Sequence, residues 1–312
     1  MAIQYRDTAL IYNPRAGKIL RSEGTLIRRV AEALGEAGHR VTLAPTTGPR
    51  TAGAIACAQV ERGADLIVVA GGDGTVNEAL EGLVGGSVPL AVLPAGTANV
   101  LATEMKLGRD PVRAARLLHE WKATPVSAGR LALDGGVPRH FLLMAGIGLD
   151  AHIVYHVHGG LKSRTGKFAY WVAGWSLLGR RLAQFEVETG GVRRTCSFAL
   201  FSRVRNYGGD FEIARRVSLR DDHFEVVLFE GATSLRYVPY FAGMALKRLE
   251  GMRGVTVLKA TEAVVRPVAG EAAHVQIDGE YAGRLPAEIS IVPDALTVLL
   301  PPEYPSAGQT IA

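Results

Sequence analysis

Apolar positions in the first 120 residues fall into short continuous runs separated by stripes at helical spacing. Thr8 to Tyr12, Val41 to Ala44, Leu66 to Ala70 and Pro89 to Leu93 are runs of four or five mostly apolar residues. Runs of that kind suit strands buried on both faces. Between them Leu26, Val30 and Leu34 repeat every four residues and stop at Gly38, which predicts a helix with a glycine beyond its C-terminus. A second helix is predicted from about Ala52 to Arg62, a third begins with Val76, Leu80 and Leu83, and a fourth covers Pro111 to Trp121. Strands alternating with helices at this interval predict a doubly wound parallel sheet.

From about Ser127 the pattern changes. Short apolar runs now recur: Arg130 to Leu133, His140 to Ala145, Cys196 to Ser202, Phe224 to Phe229, Val255 to Leu258, Ala263 to Val268 and Ile289 to Val292. Turn sequences such as Asp134-Gly135-Gly136 and Tyr207-Gly208-Gly209-Asp210 separate many of them. This predicts an antiparallel β-sandwich. The expected fold class is therefore α/β, with an N-terminal parallel sheet over residues 1–127 and a sandwich over residues 128–296. The last residues, 297–312, are expected to return to the first domain.

The polar segments that follow the predicted strands carry the chemistry. Ligands of open α/β sheets bind at the C-terminal ends of the strands, and there lie Asn13-Pro14-Arg15-Ala16-Gly17-Lys18, Thr46-Thr47-Gly48-Pro49-Arg50, Gly71-Gly72-Asp73-Gly74-Thr75 and Pro94-Ala95-Gly96-Thr97-Ala98-Asn99. The third of these is the focus. A buried strand ends in three glycines interleaved with a carboxylate and a hydroxyl, and a helix starts at once. Residues without Cβ let backbone N–H groups approach an anion, and a helix N-terminus favours negative charge. A plain tight turn would explain the glycines but not Asp73 and Thr75 among them. No Gly-Lys-Ser/Thr follows, so this is not a Walker A loop, and the spacing is not G-x-G-x-x-G.

Composition adds limits. The chain has 312 residues, 48% hydrophobic and 21% charged, as expected of a folded globular protein with room for two cores. The net charge of +5 and pI near 9.3 suit anionic partners but are too modest to argue for nucleic acid. Two cysteines, Cys57 and Cys196, have no paired spacing and are expected to be free thiols in a reducing cytoplasm. No signal peptide is expected, and no apolar stretch reaches the ~18 residues of a membrane span.

Several of these motifs together resemble the diacylglycerol-kinase-type catalytic domain, a family that includes bacterial lipid kinases, sphingosine kinases and ceramide kinases. Asn13-Pro14-x-x-Gly17 resembles its first loop. Gly71 to Glu78 is similar to its central loop, and Leu93-Pro94-x-Gly96-Thr97-x-Asn99 to its third. Gly146-x-Gly148-x-Asp150, Gly166-Lys167-x-x-Tyr170, Asn206-Tyr207-x-Gly209 and Asp278-Gly279-Glu280 followed by Pro286 resemble later landmarks. NAD kinases share the central loop but not the third loop or the Asp-Gly-Glu ending.

The resemblance implies an ATP- and Mg²⁺-dependent transfer of phosphate to the hydroxyl of a membrane lipid such as diacylglycerol. It implies nucleotide binding by Asn13, Arg15, Gly17, Thr46 (with Thr47 as the alternative equivalent), Gly71, Gly72, Asp73, Gly74, Thr75, Asn77, Glu78, Gly96 and Thr97. Asp73 would hold Mg²⁺ against the phosphates, and Glu280 would act as general base. Ser218-Leu219-Arg220-Asp221-Asp222-His223 resembles a structural metal loop, in which the Asp221 side chain and the Ser218 and His223 carbonyls would hold Mg²⁺. Asp222 stands where the family has glycine, and Ser127 stands where many members have an aspartate. The partners implied are ATP and a lipid met peripherally at the inner membrane face, with a homodimer left open and no nucleic acid.

Arg164 to Leu182 places Phe168, Trp171, Trp175, Leu178 and Leu182 at helical spacing between basic residues. It reads either as a helix packed on the sandwich with snorkelling basic ends or as an interfacial helix. His152, His156 and His158 have no zinc-site spacing and read as a polar loop. Two rival functions remain at this point: an NAD-kinase-like phosphotransferase with a soluble substrate, and a non-catalytic lipid or nucleotide sensor.

Overall fold

The computed structural model describes residues 5–149, 151, 181–208, 211–246 and 248–305. It is a mixed α/β fold with two compact units, Met1–Ala128 with Pro293–Ser306, and Gly129–Val292. Most of the stretch Arg164 to Leu182, together with Asp150, the three histidines and Gly209, lies outside the described residues.

In the first unit β1 (Asp7–Tyr12), β2 (Arg40–Pro45), β3 (Leu66–Gly71) and β4 (Leu90–Pro94) form a parallel sheet in the order β2-β1-β3-β4. The C-terminal strand of the chain lies beside β4, with Val298 paired to Leu90 in parallel. All six residues of β3 and all five of β4 are buried, which is why these segments read as unbroken apolar runs. The outer strand β2 buries only Ala44. Helix α1 (Gly17–Arg21) is a short turn of chain, and α2 (Thr25–Glu36) buries Ile27, Val30, Ala33 and Leu34. The predicted stripe is present, and Gly38 past its end takes φ +95°, a conformation that suits glycine. Helices α3 (Ala52–Glu61), α4 (Asp73–Glu81), α5 (Val100–Glu104) and α6 (Pro111–Leu117) complete the unit. Asp110 caps α6, its carboxylate accepting the Val112 and Arg113 N–H groups ahead of Pro111 at the first helical position.

The second unit packs two sheets face to face. One has the order β14-β13-β10-β7-β16-β17, comprising β7 (Met144–Gly148), β10 (Phe198–Ser202), β13 (Phe224–Phe229), β14 (Val255–Ala260), β16 (His274–Ile277) and β17 (Glu280–Arg284). The other contains the end of β5 (Lys122–Leu133), β6 (Arg139–Phe141), β8 (Phe185–Thr189), β9 (Val192–Cys196), β15 (Glu262–Pro267) and the start of β18 (Ala287–Leu300). The strand pairings in both are antiparallel. Phe141, Ile147, Phe185, Val187, Phe201, Phe224, Val265 and Ile289 form the core between them. A two-stranded ribbon, β11 (Asn206–Gly208) with β12 (Phe211–Glu212), and helix α7 (Tyr237–Ala245) complete the unit.

The second half departs from the predicted strands in places. The run His140 to Ala145 is two strands, because the Leu142 and Leu143 N–H groups turn to the Asp278 carboxylate. Cys196 to Ser202 is also broken: Ser197 directs its N–H to Phe229 and its hydroxyl to Gly231. Strands β8, β9, β16 and β17 carry too many polar residues, such as Arg193 and Arg194, to register as apolar runs.

Candidate functional site

Because the strands of the first unit are parallel, the loops after β1, β2, β3 and β4 emerge at one sheet edge. The central loop and the loop after β4 meet backbone to backbone. The Ala95 and Gly96 N–H groups both donate to the Gly71 carbonyl, at 3.1 and 3.0 Å. A Cβ on Gly96 would lie 2.4 Å from the Gly72 Cα and 2.9 Å from Asn99 Oδ1, so position 96 needs glycine for close approach rather than for backbone freedom; a Cβ on Gly72 would meet the Gly96 Cα at an ordinary 3.4 Å. Asn99 adopts φ +51° and closes its loop from within: Oδ1 accepts the Gly96 N–H and Nδ2 donates to the Gly96 carbonyl, each at 2.9 Å.

Helix α4 starts at Asp73, with Gly72 as an extended N-cap. Its first N–H groups are thereby presented at the loop edge, as an anion site requires. The Asp73 carboxylate itself is tied down. Oδ2 accepts the Val100 N–H at 3.0 Å and Oδ1 the Leu101 N–H at 3.1 Å, so Asp73 caps α5 and joins the two loops. Burial pushes its carboxyl pKa up, against the opposing pull of these backbone N–H groups. Thr75 is buried, with its side chain against Gly71, where a Cβ would come within 2.7 Å of the Thr75 Cβ. Asn77 is buried too. Glu78 accepts the Arg50 and Ala52 N–H groups at 2.8 and 3.2 Å and so fastens the loop after β2 to α4.

The loop after β1 joins the same edge. The Asn13 N–H donates to Ala70 at 3.4 Å, and Asn13 Oδ1 accepts the Arg15 N–H at 2.9 Å. Arg15 is exposed, Gly17 opens α1, and Lys18 Nζ donates to the Pro94 carbonyl at 3.1 Å and to that of Arg109. Burial lowers the Lys18 pKa, with Arg109 adding to the effect. Thr46 is half-buried, its N–H on the Tyr12 carbonyl at 2.9 Å, and Thr97 is exposed. Asn13, Gly71, Gly72, Asp73, Gly74, Gly96 and Thr97 thus belong to one cluster of interlocked loops. Thr75 and Asn77 lie beneath it, and Glu78 and Thr46 at its side. A cavity of about 340 Å³ lined by Asp7, Arg40, Gln59 and Arg62 lies at the opposite edge of the sheet, by the N-terminal ends of β1 and β2.

In the second unit Asp278 and Gly279 form the two-residue turn between β16 and β17, at φ +49° and +80°. The buried Asp278 carboxylate accepts three N–H groups, from Leu142, Leu143 and Met144 at 2.9 to 3.0 Å. Asp278 therefore builds the turn. Glu280 opens β17 half-buried, 3.9 Å from Arg139 Nη2. Ser127 is buried at the end of the first unit.

In the loop 218–223, the Asp221 carboxylate accepts the Ser218 N–H at 2.8 Å, and the Ser218 carbonyl accepts the Asp221 N–H at 3.0 Å. Asp222 is exposed and keeps a negative φ, since it is not one of the non-glycine residues at positive φ. Asp222 therefore replaces the family glycine without entering the left-handed region. Burial lowers the His223 pKa, with Lys259 next in weight. Two features had no sequence signal: the tie from Glu78 to the loop after β2, and a fully buried Arg203 beside the loop 218–223.

Residues 7–131 match the diacylglycerol kinase catalytic domain model, and residues 144–300 match a model described as the YegS C-terminal NAD kinase beta sandwich-like domain. A diacylglycerol kinase of Bacillus subtilis is 29% identical over 94% of this chain and 96% of its own length. One from Mycobacterium tuberculosis is 29% identical over 78% of this chain and 79% of its own. The crystal structure of a diacylglycerol kinase from Bacillus anthracis superposes with a TM-score of 0.76 at 21% identity, over 96% of this chain and 99% of that one. The chain belongs to the diacylglycerol kinase catalytic-domain family, a family of lipid kinases.

Proposed function

We propose that the protein is an ATP- and magnesium-dependent lipid kinase that transfers the γ-phosphoryl group to a hydroxyl of a diacylglycerol-type membrane lipid. The observation that carries this reading is the contact of Gly72 with Gly96 at the start of α4. It leaves N–H groups of two loops and a helix N-terminus on one edge, where a triphosphate has donors and nothing bulky to displace it. The relatives' names point to the same substrate class.

Phosphoryl transfer depends mainly on positioned phosphates and stabilised charge. The N–H groups at Gly72–Gly74 and the exposed Thr97 hydroxyl would orient phosphate oxygens, with Asn13 and Arg15 at the neighbouring loop. Asp73 would act through geometry, holding the third loop against the central one. Its oxygens accept the Val100 and Leu101 N–H groups, with those of Asn99 and of Asp73 itself also drawn to them, and they are the hard oxygen donors that a magnesium ion arriving with the nucleotide would take. When bound, magnesium neutralises phosphate charge. Glu280 would accept the proton of the attacking lipid hydroxyl, with the Arg139 guanidinium beside it. Among the described residues no helix is long and apolar enough to cross a membrane, so the lipid would be met peripherally, in this reading at the inner membrane face.

The test is incubation with γ-labelled ATP, NAD and mixed micelles of diacylglycerol, a sphingoid base or phosphatidylglycerol. The expected product is labelled phosphatidic acid with Mg²⁺ and none with EDTA. Labelling of NAD with every lipid unlabelled would establish the soluble-substrate reading, and no labelled product at all would favour a sensor.

A further inference from the structure

The family resemblance implies a divalent ion in the loop 218–223, and the structure already has a cation there. Arg203 is completely buried, the largest such side chain among the described residues. Its guanidinium Nη2 donates to the Leu219 carbonyl at 2.8 Å, and Nη1 donates to the carbonyls of Asp221 and, at 3.4 Å, of His223. Three carbonyls of one six-residue loop thus converge on one guanidinium. The His223 carbonyl is one of the expected metal ligands. The other two expected donors are engaged within the loop, the Asp221 carboxylate with the Ser218 N–H and the Ser218 carbonyl with the Asp221 N–H. Mg²⁺ demands near-octahedral oxygen ligands at ~2.0–2.1 Å. The donors here are arranged for the planar fork of a guanidinium. The residues present do not fit the ion.

We infer that Arg203 is the resident cation of the loop 218–223 and that this loop takes no divalent ion. A side-chain cation needs no free-ion concentration, so the loop keeps its shape whether or not Mg²⁺ is present. The consequence reaches the acidic turn. The Arg203 N–H donates to the Leu143 carbonyl at 2.8 Å, and the Leu143 N–H donates to Asp278 Oδ1 at 2.9 Å. Arg203 thus sits between loop and turn: its side chain holds the loop, and its backbone N–H meets the segment that binds the Asp278 carboxylate. Any magnesium requirement for catalysis then belongs to the nucleotide.

The experiment uses the nucleotide-free full chain, melted with about 10 mM MgCl₂, MnCl₂ or CaCl₂ and with EDTA, beside a Mn²⁺ titration read by electron paramagnetic resonance. An ion held by the folded state alone raises Tm in proportion to its saturation. The expected result is one Tm in all four conditions and no Mn²⁺ site that Asp221→Asn removes. Arg203→Met opens the carbonyl cradle, so its Tm should fall by several degrees and Mn²⁺ should restore part of the loss. If that variant does not fold, Arg203→Lys supplies the comparison. A lysine keeps the charge but cannot fork to three carbonyls, and its Tm should lie below wild type. The inference is overturned by a wild-type Mn²⁺ site that raises Tm and disappears in Asp221→Asn, or by Arg203→Lys and Arg203→Met both melting like wild type. Neither readout involves substrate turnover, so failure here leaves the kinase reading untouched.

Discussion

Gly96→Ala is a one-carbon test of the loop contact. The added methyl would lie 2.4 Å from the Gly72 Cα, 2.9 Å from Asn99 Oδ1 and 3.0 Å from the Gly72 N. Non-bonded carbons rest ~3.5–4.0 Å apart, so the two loops must separate by roughly 1.1–1.6 Å. Both neighbours are backbone or a side chain already held by two hydrogen bonds, so no flexible tip can give way instead. Overpacking of this kind costs ~1–3 kcal/mol, and the Asn99 hydrogen bonds place about 1 kcal/mol each at risk. For a chain of this size that is a fall in Tm of roughly 5–10 °C. The functional cost should be larger, because a displacement of ~1 Å at a reacting group can cost ~10²-fold in rate. Gly35→Ala is the control: nothing lies within 4 Å of its Cβ, and it sits inside α2, where alanine should stabilise by ~0.5–1 kcal/mol. The assay is phosphate transfer alongside thermal melting for both variants. Wild-type Tm and turnover in Gly96→Ala would refute the claim that this contact shapes the site.

Asp73→Ala should lose transfer by two orders of magnitude or more and also lower Tm, because the Val100 and Leu101 N–H groups lose their acceptors. Full activity in the folded variant would reduce Asp73 to a helix cap. Glu280→Gln should cut kcat by ~10²–10⁴-fold with unchanged Tm and ATP affinity, whereas Asp278→Asn should chiefly destabilise, since an amide cannot accept three N–H groups as the carboxylate does. The reverse pattern would assign the base to the other acid. Burial pushes the Cys196 thiol up to about 12, with Glu230 adding and Arg194 opposing, while Cys57 is exposed. A thiol reagent at pH 8 should therefore titrate one cysteine in the native protein and the second only after unfolding; fast reaction of both would show that Cys196 is accessible.

The parallel sheet was legible because its central strands are buried on both faces, so Leu66 to Ala70 and Pro89 to Leu93 read as unbroken apolar runs. The glycine loop was legible for a related reason, since a run that stops at Gly71-Gly72 can only turn. Side-chain roles were less so. Asp73 read as a metal ligand, and nothing local showed that its oxygens also meet N–H groups some 27 residues further on. Glu78 and Arg203 hold loops distant in sequence in the same way. In the second unit, β9 and β17 were missed because Val192-Arg193-Arg194-Thr195 and Glu280-Tyr281 put polar residues outward and so break the apolar signal. Asp278-Gly279 was readable as a turn, since that dipeptide favours positive φ at both positions.

The most direct test of the phosphate site is the crystal structure of the protein with Mg²⁺ and a non-hydrolysable ATP analogue. The account predicts the triphosphate across the start of α4, with phosphate oxygens within hydrogen-bond distance of the Gly72–Gly74 N–H groups and Thr97, and with the Gly72–Gly96 contact unchanged. A triphosphate bound away from these loops, or loops that separate to admit it, would contradict it.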